Sequence, residues 1–194
     1  MDNNSELKTE TEVLVSAFLE GDKQAFNRLV QLYQTKIFNL ALNYVKNQEE
    51  AKDLAQDIFV TVYKSLPGLR EREKFTSWLY QIAINHCRNR YKKLSRRGYF
   101  SNLSLDDDET FIQIVGDEGP EKSLQRQNTI RLVRAAIDAM GEAEREILLL
   151  RDLQELAYEE ISTILGIPLG TVKSKLNRAR SSLKDRLKKN YHNL

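Results

Sequence analysis

The chain has 194 residues, 30 of them basic and 28 acidic, which gives a net charge of +2. A norm of roughly 100–200 residues per domain allows one large domain or two small ones, and it excludes a multidomain enzyme of ordinary size. Eight Gly and three Pro amount to half of the ~12% found in average chains. Few residues therefore interrupt helices, and the composition predicts an all-α protein.

The chain carries few signs of export or of membrane insertion. Its single cysteine, Cys87, cannot form an internal disulfide, and its place on an apolar helix face predicts a buried structural thiol. The first residues, MDNNSELKTETEV, contain neither a basic start nor an apolar run. No stretch approaches the ~18 consecutive apolar residues of a membrane span. We therefore expect a cytoplasmic protein that does not insert into a membrane.

Apolar periodicity predicts helices along most of the chain. The predicted segments are Thr9–Glu20, Asp22–Val45, Gln48–Ser65, Ser77–Leu94, Glu121–Met140, Glu142–Leu150, Tyr158–Leu165 and Leu169–Lys189. Asp22 is a suitable N-cap, and Asn47 followed by Glu50 has the spacing of a capping box. Boundaries between segments fall at Pro67, Pro120 and Pro168.

Charge is distributed in three blocks. His86–Arg97 contains six basic residues and no acid, whereas Phe100–Pro120 contains six carboxylates and no Lys or Arg. Pro168–Lys189 is basic again, with eight Lys or Arg against the single acid Asp185. The acidic block also holds two Gly and predicts a flexible linker between two small helical domains. A solvated helix face would explain one basic block, but one block in each domain favours contact with nucleic acid.

A short helix, a turn containing Gly166 and Pro168, and a longer basic helix follow one another near the C-terminus, which predicts a helix-turn-helix. On the longer helix, the apolar arc that faces the core consists of Val172, Leu176, Ala179, Leu183 and Leu187. The opposite arc consists of Lys173, Ser174, Asn177, Arg178 and Ser181. It combines cations for phosphates with amide and hydroxyl groups for base edges. A merely solvated face would mix Glu with Lys, so the absence of acid from this arc predicts DNA contact.

The helix Ser77–Leu94 is apolar around most of its circumference, which predicts a buried helix. Its one polar strip consists of residues about one turn apart, Gln81, Asn85, Arg88 and Lys92. The aromatic residues near this strip in sequence are Tyr80, Tyr91, Tyr99 and Phe100. They suit stacking on an unpaired base, although aromatic residues at helical spacing more often belong to a core.

The helix Gln48–Ser65 has a broad apolar face, and opposite it lie Asp53, Gln56, Asp57, Val60 and Lys64. Two of these carboxylates, one turn apart, would suit a metal or an acid/base pair, but no His or Cys lies near them in sequence. An acidic face with an exposed valine is better suited to docking a basic partner helix. The chain has no phosphate-binding Gly loop, CxxC or HExxH motif. We therefore expect a binding protein with no catalytic residues, metal site or cofactor.

Four blocks carry a family resemblance. In the first half they are AFNRLVQLYQTKIFNLAL (Ala25–Leu42), EEAKDLAQDIFVTVYKSL (Glu49–Leu66) and FTSWLYQIAINHCRNRYKK (Phe75–Lys93). The fourth is REILLLRDLQELAYEEISTILGIPLGTVKSKLNRARSSLK (Arg145–Lys184). In order and spacing these blocks resemble the extracytoplasmic-function (ECF) group of bacterial sigma factors, which are two-domain members of the sigma-70 family.

The resemblance implies four parts of the chain, which are an N-terminal extension with the first helix (1–24), sigma domain 2 (25–95), an acidic linker (96–120) and sigma domain 4 (121–194). Domain 2 would dock on the beta-prime clamp helices of core RNA polymerase and melt the minus-ten element of promoter DNA. Domain 4 would bind the minus-thirty-five element and the polymerase beta flap. The linker would thread polymerase channels otherwise filled by RNA. An anti-sigma factor that wraps both domains is the other implied partner.

The resemblance also assigns residues to these contacts. The residues that it assigns to polymerase binding are Asp53, Gln56 and Asp57. Binding of the minus-ten element is assigned to the loop Gly68–Lys74 and to Gln81, Asn85, Arg88 and Lys92, of which Asn85 matches a base-recognising position. Binding of the minus-thirty-five element is assigned to Thr171, Lys173, Ser174, Asn177 and Arg178.

Three residues depart from the family pattern. Leu69 stands where many relatives have an aromatic residue, which affects the loop side of the base pocket and the minus-ten preference. Gly141 replaces a frequent Pro at the start of a domain 4 helix, and Ala157 replaces a frequent Ser or Thr cap. The usual penalties for a helical Gly and a missing cap predict a local cost of about 1 kcal/mol each.

Two other classes of function are compatible with parts of the sequence. A stand-alone helix-turn-helix regulator would bind a two-fold symmetric operator as a dimer without polymerase, but the chain has no evident dimer helix. An enzyme acting on nucleic acid would need a metal site built from Asp106, Asp107 and Asp108, which lie in the Gly-containing linker. Divalent-dependent nuclease activity would identify this last class.

Overall fold

The computed structural model describes residues 3–102, 129 and 132–191. The chain divides into two compact units, Met1–Asn102 and Leu103–Leu194. Every regular element within the described ranges is helical, which confirms the prediction of an all-α fold with two small helical domains. Most of the predicted acidic linker, including Asp106–Asp108, lies outside the described residues, as does half of the predicted helix Glu121–Met140.

The first unit consists of helices α1 (Asn3–Leu19), α2 (Lys23–Val45), α3 (Gln48–Ser65) and α4 (Phe75–Arg96). Asp22 accepts a hydrogen bond from the amide of Gln24 at 2.8 Å and caps α2. Asn47 accepts from the amide of Glu50 at 3.0 Å and caps α3, so both predicted N-caps are confirmed. Only two residues separate α2 from α3, and such a short connection makes the two helices antiparallel neighbours.

Two helices of this unit begin earlier than the apolar pattern predicts. Helix α1 starts at Asn3 rather than Thr9, and α4 starts at Phe75 rather than Ser77. Between Asn3 and Lys8 the only apolar residue is Leu7, so periodicity does not detect these first turns of α1.

The core of the first unit is lined by aromatic and aliphatic side chains. Those that are almost fully buried include Tyr33, Tyr44, Tyr80, Phe75, Leu29, Ile37, Leu40, Leu54, Ile58, Leu66, Leu79 and Ile84. Tyr80 is 1% exposed and therefore belongs to the core; the hypothesis that it stacks on an unpaired base is wrong. Cys87, the single cysteine of the chain, is buried, as predicted. Tyr91 and Phe100 pack against each other with ring centroids 4.9 Å apart.

The second unit contains α5 (132–138), α6 (Glu142–Leu148), α7 (Tyr158–Leu165) and α8 (Leu169–Tyr191). A π-helical turn, Leu149–Leu153, continues α6 beyond the predicted end at Leu150. The core of the second unit is formed by buried aliphatic side chains from several elements, which are Ala136, Ile147, Leu150, Ile161, Ile164, Val172, Leu176 and Ala179. One face of α8 is thereby fixed against the rest of the unit.

The residues at the N-termini of α6 and α7 lower the stability of this unit less than the sequence predicts. Gly141 is the N-cap of α6, with extended backbone angles of φ −61° and ψ 148°, and not an interior helical residue. The predicted helical-Gly penalty is therefore wrong, because Gly is nearly as good as the polar residues at an N-cap. Ala157 has no capping oxygen, but its amide donates to Glu160 Oε2 at 2.7 Å, which supplies half of a capping box.

Candidate nucleic-acid and docking surfaces

Hydrogen bonds fix the turn between α7 and α8. Gly166 adopts the left-handed conformation, with φ 64° and ψ 35°, which favours glycine. Ser162 Oγ donates to the Ile167 carbonyl at 2.6 Å, and the Ile167 amide donates to the Ser162 carbonyl at 3.1 Å. The Pro168 carbonyl accepts from the Thr171 amide at 2.8 Å. These bonds set the direction in which α8 leaves the turn, as a helix-turn-helix requires.

Helix α8 has one buried face and one exposed face. Val172, Leu176 and Ala179 are between 0% and 2% exposed, which confirms the first part of the predicted core arc. The predicted DNA-contact residues lie at the surface of α8. Four of them are exposed, namely Lys173, Ser174, Asn177 and Arg178, and Thr171 is half-buried. This acid-free surface, the α8 face, therefore presents cations, an amide and hydroxyl groups to solvent.

Local hydrogen bonds within α8 involve two of these side chains. Ser174 Oγ donates to the Thr171 carbonyl at 3.1 Å. Arg178 Nε donates to the Ser174 carbonyl at 3.4 Å, a bond that does not use the terminal nitrogens of its guanidinium. A hydroxyl that has donated its proton still has lone pairs to accept a bond. Ser174 can therefore accept from a base amino group while Arg178 donates to an acceptor.

Arg180 has a different role from its neighbour Arg178. Its guanidinium forms two hydrogen bonds to Asp152 in the π-helical turn, with Nη2 to Oδ1 at 2.5 Å and Nε to Oδ2 at 3.2 Å. Hydrogen bonding to Asp152 raises the pKa of the Arg180 guanidinium above its ordinary value. Arg180 thus ties α8 to the preceding turn. The sequence offers no local signal for this pair, because the two residues lie far apart along the chain.

The predicted polar strip of α4 lies at the surface. Gln81, Asn85 and Lys92 are exposed and Arg88 is half-buried, while the opposite side of the helix is buried at Leu79, Ala83 and Leu94. The strip runs along one side of the helix with residues about a turn apart. It is narrow, because apolar side chains occupy most of the remaining circumference.

Arg90 joins α4 to α3, a contact that the sequence did not predict. Its Nη1 lies 2.6 Å from Glu50 Oε2, and its Nη2 lies 3.0 Å from Asp57 Oδ2. The Arg90 side chain is only 23% exposed, whereas that of Asp57 is 59% exposed. Asp57 therefore has one oxygen committed to the fold. Next to this network, Thr61 Oγ1 lies 3.2 Å from His86 Nε2, which is a second polar contact between the two helices.

The outer face of α3 combines acidic, amide and apolar groups. Asp53, Gln56 and Asp57 are all exposed, in agreement with their predicted position opposite the core. Val60 is 46% exposed and Tyr63 is 41% exposed on the same helix. This surface, the α3 face, has the composition expected of a site that docks a basic and partly apolar helix.

The α3–α4 loop, residues 66–74, contains two 3-10 turns, Leu66–Gly68 and Arg72–Lys74. Lys74 Nζ lies 2.5 Å from Glu71 Oε2, and this hydrogen bond raises the pKa of the Lys74 ammonium group. Leu69 is half-buried between the two turns. The loop leads directly into α4, and the polar strip begins at Gln81, about two turns into that helix.

Comparisons with known proteins agree with this arrangement. The family model of sigma-70 region 2 matches residues 29–97, and that of sigma-70 region 4 matches residues 130–183. The RNA polymerase sigma-H factor of Pseudomonas aeruginosa is 37% identical over 176 residues, which are 88% of this chain and 90% of that protein. The ECF RNA polymerase sigma-E factor of Escherichia coli K12 is 32% identical over 179 residues, 91% of this chain and 93% of that protein.

The chain belongs to the ECF group of the sigma-70 family.

Two solved structures share this fold. CnrH, solved in complex with the cytosolic domain of CnrY, superposes with a TM-score of 0.69 at 18% identity, covering 92% of this chain and 97% of CnrH. The sigma factor RpoE of Bartonella quintana, solved with the anti-sigma factor NepR, superposes with a TM-score of 0.60 at 21% identity. That match covers 84% of this chain and 96% of RpoE.

Two further features of this sigma factor concern metal binding and membrane insertion. Across residues 3–102 and 132–191, no group of three or more His, Cys, Asp or Glu side chains is arranged to hold a metal ion. Asp53 and Asp57 thus form no such group with a third ligand. None of the helices that the structure describes is long and apolar enough to span a membrane.

Proposed function

We propose that this sigma factor binds core RNA polymerase in the cytoplasm and directs it to promoters that carry minus-thirty-five and minus-ten elements. It would act as a specificity subunit and not as a catalyst. The observation that carries this proposal is the α8 face, an exposed, acid-free surface on the second helix of a helix-turn-helix. A groove-reading helix needs this combination of cations with amide and hydroxyl groups.

The proposed division of labour follows the two compact units. Residues 25–95 would dock on polymerase and open the minus-ten element, and residues 121–194 would bind the minus-thirty-five element and the beta flap. Residues 96–120 would form the acidic tether between them, and residues 1–24 would precede the DNA-contacting part. The location of the two basic helices in different units supports this division.

For the minus-thirty-five element we propose contacts from Thr171, Lys173, Ser174, Asn177 and Arg178. Asn177 and Arg178 suit base edges, because an amide can pair with adenine and a guanidinium with guanine. Lys173 suits a phosphate, since an ammonium group acts as a point charge. Substitution of the first two should change sequence preference, whereas loss of Lys173 should weaken binding to all sequences.

For the minus-ten element we propose Gln81, Asn85, Arg88 and Lys92, together with the α3–α4 loop. The strip places amide groups near the loop and cations farther along α4, so bases would be read first and the backbone held beyond them. Tyr80 is excluded from this role by its burial. The narrow strip is better suited to a single unpaired strand than to a whole duplex groove.

For polymerase docking we propose Asp53 and Gln56 as the principal contacts, with the outward oxygen of Asp57 as a third. The proposed partner is the beta-prime clamp helices, whose docking surface would be basic and partly apolar. Val60 and Tyr63 would add apolar area beside the charges. A charged rim around an apolar contact favours both fast association and the correct orientation.

We also propose that an anti-sigma factor holds this protein inactive. The support is that RpoE of Bartonella quintana, which shares the fold, was solved with the anti-sigma factor NepR. Such a partner would have to cover the α3 face or the α8 face, because these are the surfaces that polymerase and DNA would use.

A polymerase-dependence experiment tests the proposed function. A fluorescent promoter fragment should be bound tightly only when the protein and core polymerase are both present. The variant Asp53→Arg with Gln56→Arg should abolish polymerase binding while the circular-dichroism spectrum stays helical. Glu20→Arg, an exposed charge reversal at the end of α1, is the matched control and should bind normally. Tight binding of the protein alone to a two-fold symmetric site would instead identify a stand-alone regulator.

Asp57 is a poor choice for that test. An arginine at this position would stand beside Arg90 and leave two like charges where an ion pair now lies. Loss of polymerase binding in Asp57→Arg would therefore mix a docking effect with a folding effect. Asp53 and Gln56 lie on the same face, and neither takes part in the Arg90 network.

A further inference from the structure

The α3–α4 loop has little structure of its own to hold it in place. All of its residues after Leu66 are exposed or half-buried. The ion pair of Lys74 with Glu71 joins two side chains that are each 56% exposed, and such pairs contribute little. Contacts from outside the loop must therefore set its position, and α1 supplies one of them through Ser16. A second contact of α1 runs through Tyr33 of α2 to the first turn of α4, where the loop ends.

The first contact joins α1 to the second 3-10 turn of the loop. Arg72 Nη1 donates to Ser16 Oγ at 2.8 Å. The Ser16 hydroxyl has a single proton, which it donates to the Glu12 carbonyl at 2.8 Å. Its oxygen is therefore left as an acceptor for the arginine. Because Glu12 and Ser16 both belong to α1, the guanidinium is held by a rigid helical turn.

The second contact joins α1 to the first turn of α4 through the core. Thr11 Oγ1 lies 3.0 Å from Tyr33 Oη, which in turn lies 2.9 Å from Thr76 Oγ1. Thr11 donates its own proton to the Leu7 carbonyl at 2.7 Å. With one proton on each hydroxyl, Tyr33 must donate to Thr11, and Thr76 must donate to Tyr33. Thr11 is 2% exposed and Tyr33 is 1% exposed, so water does not compete for the bond between these two hydroxyls.

The two contacts lie on either side of the point where the loop becomes α4. Arg72 is the start of the last loop turn, and Thr76 is the second residue of the helix. Within that junction the Phe75 amide donates to the Arg72 carbonyl and closes the turn. Fixing both sides of the junction fixes how the loop enters α4, and the polar strip begins only a few residues farther on at Gln81.

We infer that α1 positions the minus-ten reading surface, with Ser16 and Thr11 as positioning residues that act through Arg72 and Thr76. The inference rests on the proposed function. It assigns a role to the N-terminal segment, in which none of the proposed DNA-contact residues lies. Neither Ser16 nor Thr11 would touch DNA. Their removal should loosen the loop and broaden the minus-ten preference while the minus-thirty-five preference stays the same.

Hydrogen exchange of the free, full-length protein tests the positioning step without polymerase. In Ser16→Ala the amides of Lys74 and Phe75, which close the last loop turn, should exchange about threefold faster, as expected for loss of one hydrogen bond of ordinary strength. Ser16→Thr keeps the hydroxyl and is the matched control, because Thr11 already shows that a threonine on α1 can donate to the carbonyl one turn back. Unchanged exchange in Ser16→Ala would overturn the inference.

Transcription from a pooled library of random upstream sequences tests the consequence for specificity. With core polymerase, Ser16→Ala and Thr76→Val should each lower the preference for the best minus-ten sequence by about threefold. Ser16→Thr should match the unmodified protein, and all of these proteins should select the same minus-thirty-five sequence. An equal loss at both elements would show general destabilisation and would overturn a positioning role.

The remaining outcomes separate the inference from the proposed function. If the unmodified protein directs no new transcript starts, the proposed function fails and the role in specificity fails with it. If it directs starts but Ser16→Ala keeps the same minus-ten preference, only the inference about α1 is overturned. Faster exchange together with a broadened minus-ten preference supports both.

Discussion

The two helices that carry the proposed DNA contacts are presented to solvent in different ways. Helix α4 is buried on most of its circumference and exposes one narrow strip, and its cation Arg90 is held by Glu50 and Asp57 of α3. Helix α8 buries one face, through Val172 and Leu176 among others, and exposes a broad face. In α4, the residues that stabilise the first unit therefore lie close to the proposed DNA-contact residues. In α8, the stabilising residues and the proposed DNA-contact residues lie on opposite sides of the helix.

This difference can be measured because the only tryptophan, Trp78, lies in the first unit. Its fluorescence reports unfolding of that unit, while circular dichroism reports helices in both. Two units need not unfold in one step, so separate signals are required to assign a change in stability to one of them.

The largest effect is expected from the buried face of α8. Leu176→Ala should lower the free energy of unfolding of the second unit by about 2–5 kcal/mol, because it leaves a cavity in a small core. The change should appear in circular dichroism during denaturant unfolding and leave the Trp78 fluorescence transition in place. A shift of the Trp78 transition would contradict the assignment of Leu176 to a separate core.

The exposed face of the same helix should show the opposite behaviour. Asn177→Ala and Arg178→Ala should each weaken promoter binding by the polymerase complex by about 1–3 kcal/mol per lost base contact. Their unfolding transitions should stay within about 0.5 kcal/mol of the unmodified protein, as for most surface substitutions. Lys184→Ala, an exposed cation farther along α8, is the control for general charge loss. An equal weakening on every DNA sequence would indicate phosphate contact and no base reading.

An intermediate effect is expected where α4 meets α3. Arg90→Ala should destabilise the first unit by about 1–2 kcal/mol, because it removes charge-assisted hydrogen bonds from two carboxylates that remain partly in water. The Trp78 transition should therefore move to lower denaturant, while Lys93→Ala, an exposed cation of the same helix, should not move it. Equal transitions for the two variants would mean that the Arg90 network does not hold the helices together.

The smallest effect is expected from the ion pair that ties α8 to the π-helical turn. Arg180 and Asp152 have side chains that are 49% and 43% exposed, so Asp152→Asn should cost only about 0.2–1 kcal/mol, an amount typical of exposed pairs. The cost should shrink when salt is added. Denaturant unfolding at low and high salt measures it, and a cost that does not depend on salt would contradict an electrostatic origin.

Much of this fold follows from local patterns in the sequence. Helices α3 and α7 match the predicted ranges residue for residue, and Asp22 and Asn47 cap their helices as predicted. The extra turns of α1 were missed because they carry few apolar residues. The π-helical turn Leu149–Leu153 was missed because its buried leucines fit an ordinary helix equally well.

The surface positions of the candidate residues also follow from helical periodicity, which places Asn85 and Asn177 opposite the buried faces. Periodicity cannot reveal which carboxylate a given cation will meet. The pair of Arg90 with Asp57 and the bond of Arg72 to Ser16 join residues that are distant in sequence. Such contacts depend on how whole helices pack, so the structure was needed to separate cations used by the fold from those turned to solvent.

The most direct test of the account is transcription by purified core polymerase from a pooled library of random upstream sequences, with and without this protein. The account predicts transcript starts that occur only with the protein and lie downstream of two sequence motifs at a fixed spacing. Absence of such starts, together with tight binding of duplex DNA by the protein alone, would contradict it.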